Sequence, residues 1–384
     1  MIVTGSKRNA LWKKVPLNDI VITSYTIAKR DLEQIQTIPW QTLILDEAQH
    51  IKNPRSQNAQ MCKQISSAHR IVLTGTPLEN SITDIWSLFD FLHPGLLGTL
   101  PAFQRKYGDL ERNASLKVEL GRRIAPFMLR RRKKDVCQEL PPKCEQVVFC
   151  EMTEHQETIY QNMEKQTQRI CEDFKNGKSG VTKIHILSAI LRLRQICCAP
   201  TLLPEFKDAN VSSAKLELLN ELLLQTIDSG HKVLLFSQFT TMLGMIAEML
   251  DKMNISYEYL DGSVRNREER IDNFNQNENI RVFLLSLKVG GVGLNLTSAD
   301  TVFLYDPWWN PAVEEQATDR SHRIGQTKSV NCVRLAVRNS IEERIFELHE
   351  RKRKLFTDLV EDPADTLSSL ELDDIEFLLG KKEE

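Results

Sequence analysis

Lys232-Val233-Leu234-Leu235-Phe236-Ser237 is an apolar run of strand length. Such a run reads as a central strand buried on both faces. Similar runs recur at 256–260, 280–286, 301–305 and 330–337, with helical stretches between them. This alternation predicts a parallel sheet covered by helices on both sides. Upstream, 19–25, 42–46 and 70–74 read as strands of another sheet. The expected fold is α/β, with two parallel-sheet lobes of which the first is incomplete.

Between the lobes the pattern turns helical. Ile85, Leu88, Phe89 and Leu92 keep helical spacing up to a break at Pro94-Gly95. Leu140-Pro141-Pro142-Lys143 reads as a linker, because proline holds itself and its predecessor extended. Thr153 with Gln156, and Ser340 with Glu343, have the spacing that closes a first helical turn. The first pair opens a helical insert ending near Ala199-Pro200. The second opens a C-terminal helix with Ile341, Ile345, Leu348 and Leu355 on one face. Beyond Glu361 an acidic tail carries a weak apolar stripe of Leu370, Ile375, Leu378 and Leu379. The expected partition is a partial first lobe over 1–80, then a helical insertion and basic linker over 81–145. A second lobe follows over 146–340, with a helical insert at 152–215, and a C-terminal helical brace and acidic tail over 341–384.

Hydrophobic residues at 41% and charged residues at 27% of 384 suit a soluble globular protein. A net charge of −2 excludes a wholly basic nucleic-acid coat. It leaves room for a local patch such as Arg122, Arg123, Arg130, Arg131, Arg132, Lys133 and Lys134. The eight cysteines form no C-x-x-C pair, so neither zinc nor a disulfide frame is indicated. No apolar run is long enough for a membrane helix. An intracellular, soluble protein is expected, cytoplasmic (nucleoid) in a bacterium or nuclear in a eukaryote.

Chemistry concentrates at two places far apart in sequence. In Leu43-Ile44-Leu45-Asp46-Glu47-Ala48-Gln49 an apolar strand runs into adjacent carboxylates. Asp46 at the strand end can hold a hydrated Mg²⁺, and Glu47 can orient and deprotonate a water. A second apolar run ends in Thr74-Gly75-Thr76-Pro77. Downstream, Gln316-Ala317-Thr318-Asp319-Arg320-Ser321-His322-Arg323-Ile324-Gly325-Gln326 sets Arg320 and Arg323 one helical turn apart. Arginine is planar, permanently charged and bidentate, which suits it to a transferring phosphoryl group. The plainer reading is a solvated helix face with Asp–Arg pairs.

With these motifs in order, the chain resembles the SWI/SNF-type superfamily 2 helicase-like DNA-dependent ATPases. Further segments carry the likeness: Asp19-Ile20-Val21-Ile22-Thr23-Ser24-Tyr25, Ile51-Lys52-Asn53-Pro54, Leu129-Arg130-Arg131-Arg132-Lys133-Lys134-Asp135-Val136 and Leu193-Arg194-Gln195-Ile196-Cys197-Cys198. Downstream come Asp261-Gly262-Ser263, Gly290-Gly291-Val292-Gly293-Leu294-Asn295-Leu296 and Asp306-Pro307-Trp308-Trp309-Asn310-Pro311. The resemblance implies two RecA-like lobes, ATP and Mg²⁺ as cofactors, and motion along double-stranded DNA that remodels bound protein. It implies Asp46, Glu47, Arg320 and Arg323 as catalytic residues, with Asp46 also on the metal through water. Gln316, Gly291 and Gly293 would contact the nucleotide. Thr23, Ser24, Thr74, Thr76, Ser237, Gln238 and Trp308 would contact nucleic acid, although a tryptophan beside proline is more often a packing anchor.

The phosphate-cradling G-x-x-x-x-G-K-[ST] loop of such enzymes occurs nowhere in the sequence. The expectation is therefore a motor region that begins inside the family's first lobe. A separate chain carrying the missing loop is one possible partner, and a DNA-bound protein complex another. A competing expectation is a non-hydrolysing DNA- or protein-binding module that keeps the fold. An RNA helicase fits the downstream motifs less well.

Overall fold

The computed structural model describes residues 1–5, 8–75, 82–108, 114–129, 131, 133–137, 139–178, 180–209, 211–264, 266–290, 294–308 and 311–357. The chain forms two compact units, one over Met1–Phe127 and one over Met128–Lys354.

In the first unit a helix α1 (Tyr25–Arg30) precedes strand β1 (Trp40–Leu45). Helix α2 (Gln57–Gln64) follows, then strand β2 (Ser67–Val72) and helix α3 (Ile82–Leu92). β1 and β2 pair in parallel with Leu45 opposite Val72. Trp12, Ile35, Leu45, Ile51, Cys62, Leu88 and Phe91 share one buried core. The stretch 19–25 does not form a strand. Only the bridge Ile2–Ile22 is parallel there, and Ser24 already caps α1 by accepting from the Ile27 amide at 3.3 Å. The paired residues Ile44 and Ile71 are 54% and 44% exposed, so one face of this small sheet is bare.

The second unit holds a six-stranded sheet. Its strands are β3 (Lys143–Cys150), β4 (Val233–Ser237), β5 (Tyr257–Leu260), β6 (Val282–Ser286), β7 (Thr301–Leu304) and β8 (Val330–Val337). They run parallel in the order β3-β8-β7-β4-β6-β5. Every residue of β4, β6 and β7 is buried, as the apolar runs require. β3 begins at Lys143, the last residue of the expected Leu140–Lys143 linker, and no strand was expected there. Its first half carries the polar Lys143, Glu145 and Gln146, as suits an edge strand half open to solvent.

Helices α4 (Glu154–Lys175) and α5 (Lys183–Cys198) follow β3, and Thr153 caps the first through the Gln156 amide at 3.3 Å. Helices α6 (Ala214–Asp228), α7 (Thr240–Lys252), α8 (Arg267–Gln276) and α9 (Pro311–Thr318) follow. The last described helix is α10 (Ile341–Thr357), with Ile341, Ile345 and Leu348 buried. Its start differs from the expected box. Glu343 accepts from the Asn339 amide at 2.8 Å, and the Ser340 hydroxyl bonds to the Val337 carbonyl at 2.7 Å. Among the described residues no helix is long and apolar enough to cross a membrane. The acidic tail lies outside them.

Candidate functional site

In the first unit β1 delivers Asp46 to the carboxyl end of the sheet. The ladder continues past it, with Leu73 N–H bonded to Leu45 O at 2.8 Å and Ala48 N–H to Leu73 O at 3.0 Å. Asp46 is exposed, and its Oδ1 accepts the Glu47 amide at 2.9 Å. Glu47 sits at φ 49°, in the left-handed region. A residue with a Cβ pays on the order of 1 kcal/mol to stay there. The turn is over-determined by its neighbours: Gln49 donates to Glu47 Oε2 at 2.9 Å, and the Tyr25 hydroxyl donates to Asp46 O at 2.9 Å. Burial, with Cys62, Asp46 and Glu47 nearby, raises the Tyr25 phenol well above its usual range, so it remains a donor.

An exposed carboxylate at the end of a parallel strand suits a hydrated divalent cation, and the carboxylate beside it suits a water. The residues present therefore fit the metal. For the phosphates the sequence offers less. Its Gly177-Lys178 pair lies in the turn between α4 and α5 rather than after a strand, and Lys178 pairs with Asp173 at 3.0 Å.

Thr23 donates to the Val3 carbonyl at 3.1 Å, while Ser24 is the exposed cap of α1. Thr74 is half-buried just after β2. Thr76, Gly291 and Gly293 lie outside the described residues.

In the second unit the expected residues separate to opposite ends of the sheet. Ser237, Gln238 and Trp308 lie at its carboxyl end, after β4 and β7. There the buried Ser237 hydroxyl donates to Asp306 Oδ1 at 2.5 Å, and Gln238 N–H lies 3.3 Å from both Asp306 oxygens. The fully buried Arg194 of α5 donates to Gln238 Oε1 at 3.1 Å and to Pro307 O at 2.5 Å. Burial pushes the Asp306 carboxyl up to about 6, against the opposing pull of Arg194 and the Ser237 bond. Ser237 is thus a buried, internal ligand of Asp306. Trp308 packs against the β-sheet core, and its amide donates to Glu314 Oε1 at 2.7 Å.

Helix α9 then carries the chain back across the sheet, about 12 Å at 1.5 Å per residue. Gln316 lies half-buried on it, and the helix stops at Thr318. Arg320 and Arg323 occupy the turns beyond. Arg320 is 2% exposed, which rules out the solvated helix face. Its carbonyl accepts from Leu296 N–H at 3.1 Å, and Arg323 Nε donates to Asp319 O at 3.1 Å. Gln326 is the clasp of this turn. Its Nε2 reaches the carbonyls of Thr297, Ala299 and Ser321 at 3.1, 2.8 and 3.0 Å, and its Oε1 accepts from the Thr327 and Lys328 amides at 3.0 and 2.9 Å.

Sequence reasoning missed Arg194, Asp306 and Gln326 as organising residues. Asp306 carried a readable signal, since it ends an apolar strand much as Asp46 does.

The SNF2-related domain profile matches residues 3–202 of the chain. The helicase conserved C-terminal domain profile matches residues 214–325. The chain belongs to the SNF2 family. Among SNF2 relatives it is 36% identical over 380 residues to the DNA repair and recombination protein RAD26 of Saccharomyces cerevisiae, covering 91% of this chain and 34% of that protein. It is 36% identical over 371 residues to the putative ATP-dependent helicase/translocase YwqA of Bacillus subtilis, covering 93% of this chain and 40% of that one. A solved Sulfolobus solfataricus SWI2/SNF2 ATPase core in complex with dsDNA shares 34% identity, with 94% of this chain and 76% of that chain covered at a TM-score of 0.49. The chain thus spans about a third of the length of its SNF2 relative RAD26.

Proposed function

We propose that the chain is the core of an ATP-hydrolysing motor that moves on double-stranded DNA and remodels protein–DNA complexes. The observation that carries this reading is the turn at Asp46 and Glu47, an exposed carboxylate beside a half-buried one, held at the end of a parallel strand. Asp46 would hold Mg²⁺ through water, and the metal would neutralise charge on the β- and γ-phosphates. Glu47, oriented by Gln49, would take the proton of the attacking water. Arg320 and Arg323 would meet the developing charge. In this reading 1–80 belongs to the first lobe, 81–145 to the insertion and linker, 146–340 to the second lobe and 341–384 to the brace and tail.

The absence of a G-x-x-x-x-G-K-[ST] loop from these 384 residues favours a second reading, a non-hydrolysing DNA- or protein-binding module. One experiment separates the two: ATP hydrolysis by the purified chain, with and without duplex DNA. A DNA-dependent rate that Glu47→Gln abolishes supports the motor, and a rate indifferent to Glu47→Gln overturns it. Salt-sensitive duplex binding without hydrolysis selects the binding module.

A further inference from the structure

The turn bearing Arg320 and Arg323 is gripped from two directions, and the two grips differ in kind. One is internal and dry: the buried Gln326 fan and the Leu296 N–H bond to Arg320 O. The other comes from the segment that enters the second unit just after Phe127, where the first unit ends. Lys133 stands in a short helical stretch, Lys133–Val136. Its Nζ lies 2.5 Å from Asp319 Oδ2 and donates to His322 O at 3.1 Å. The same His322 donates from its Nε2 to the Pro141 carbonyl at 2.8 Å. Pro142 O then accepts from the amide of Val330, the first residue of β8. Lys133 and Pro141 therefore both touch the turn at 319–323.

The Lys133 and Asp319 side chains remain 44% and 33% exposed. An ion pair so placed is weak, salt-screened and readily broken. The dry grip fixes the turn's place in the fold, whereas the wet grip can open without exposing buried polar groups. A reversible contact belongs where a segment must sometimes let go.

We propose that Lys133 and His322 are positioning residues that latch the arginine turn to the segment leading in from the first unit. The latch makes the setting of Arg320 and Arg323 depend on where that segment lies. Its catalytic meaning rests on the ATPase reading above; its existence does not.

The test is amide hydrogen exchange of the whole chain without nucleotide, so that a failed ATPase assay leaves it standing. In Lys133→Ala the amides of 319–323 should exchange about two to five times faster at low salt. The amides of Val233–Ser237 serve as the internal control and should not change. Lys133→Arg, which keeps charge and donors, should behave like the parent chain. Raising the salt to about 0.5 M should speed exchange of the turn in the parent and leave Lys133→Ala unaltered. Should Lys133→Ala fail to fold, Asp319→Asn probes the same contact from the other partner. Unchanged exchange at 319–323, equal acceleration at Val233–Ser237, or loss of protection in Lys133→Arg would each overturn the latch.

Discussion

Ser237 Oγ lies 2.5 Å from Asp306 Oδ1, a contact that joins the carboxyl ends of two neighbouring buried strands. Its setting predicts an unusual pH dependence. Burial raises the folded-state value of Asp306 to about 6, above the value near 3.9 expected when unfolded. The folded protein therefore binds the extra proton more readily. The stability from that proton is complete below pH about 4 and is lost as pH rises through about 6. Asp306→Asn mimics the protonated form, so its stability relative to the parent should climb by on the order of 2 kcal/mol between pH 4 and 7. Urea midpoints across that window measure the difference. A gap that stays flat with pH removes this account of Asp306.

Lys215 at the start of α6 and Glu342 at the start of α10 form an ion pair whose side chains are both fully buried. Glu342 Oε2 also accepts the Val337 amide at 3.1 Å, tying the pair to the end of β8. Removing one charge strands the other in the core. Lys215→Met should cost about 3–5 kcal/mol by denaturant unfolding. Adding Glu342→Gln removes the stranded charge and keeps an acceptor for Val337, so the double variant should be more stable than Lys215→Met alone. If the double variant is the less stable of the two, stranded charge is not the cause.

How far the fold was legible follows from where each strand sits. The interior strands β4, β6 and β7 are buried at every position and apolar except for Ser237, Ser286 and Thr301 at their ends, and a reader needs no neighbours to find them. β3 is an edge strand for which no strand was expected, because the polarity of its Lys143, Glu145 and Gln146 answers to solvent on the open side. The stretch 19–25 failed in the opposite sense. Its alternating isoleucines look like a strand, yet Ser24 turns the chain into α1 and leaves one bridge, Ile2–Ile22. In the site, local pattern exposed Asp46 and Glu47 because strand and carboxylates are adjacent in sequence. Arg194 and Asp306 lie far apart along the chain, and nothing local announces their meeting. The Ser237 hydroxyl likewise meets Asp306 only through the sheet, across 69 positions of sequence.

The bare face of the small sheet in the first unit makes its own prediction. Ile44 and Ile71 are directly paired and both are open to solvent. Parallel strands ordinarily lie covered on both faces, and an exposed β-branched pair invites association. Ile44→Thr with Ile71→Thr keeps β propensity and removes apolar surface. Self-association, read by light scattering against concentration, should fall, with the unfolding midpoint little changed. An undiminished association would place the sticky surface elsewhere.

Arg320 and Arg323 should part company when each is replaced. Arg323 is half-buried, and its Nε bond to Asp319 O leaves the rest of the guanidinium available. Arg320 is almost wholly enclosed, so its removal empties space within the fold as well as deleting a charge. If both stabilise a transferring phosphoryl group, each alanine variant should lower the DNA-stimulated turnover by about a thousandfold or more. Only Arg320→Ala should also lower the unfolding midpoint, because only it disturbs a packed site. Arg323→Lys keeps the charge and loses the planar fork, and should recover little of the rate. Full activity in Arg323→Lys would show that charge alone suffices. Full activity in Arg323→Ala would remove that residue from the chemistry and leave Arg320 to act without it.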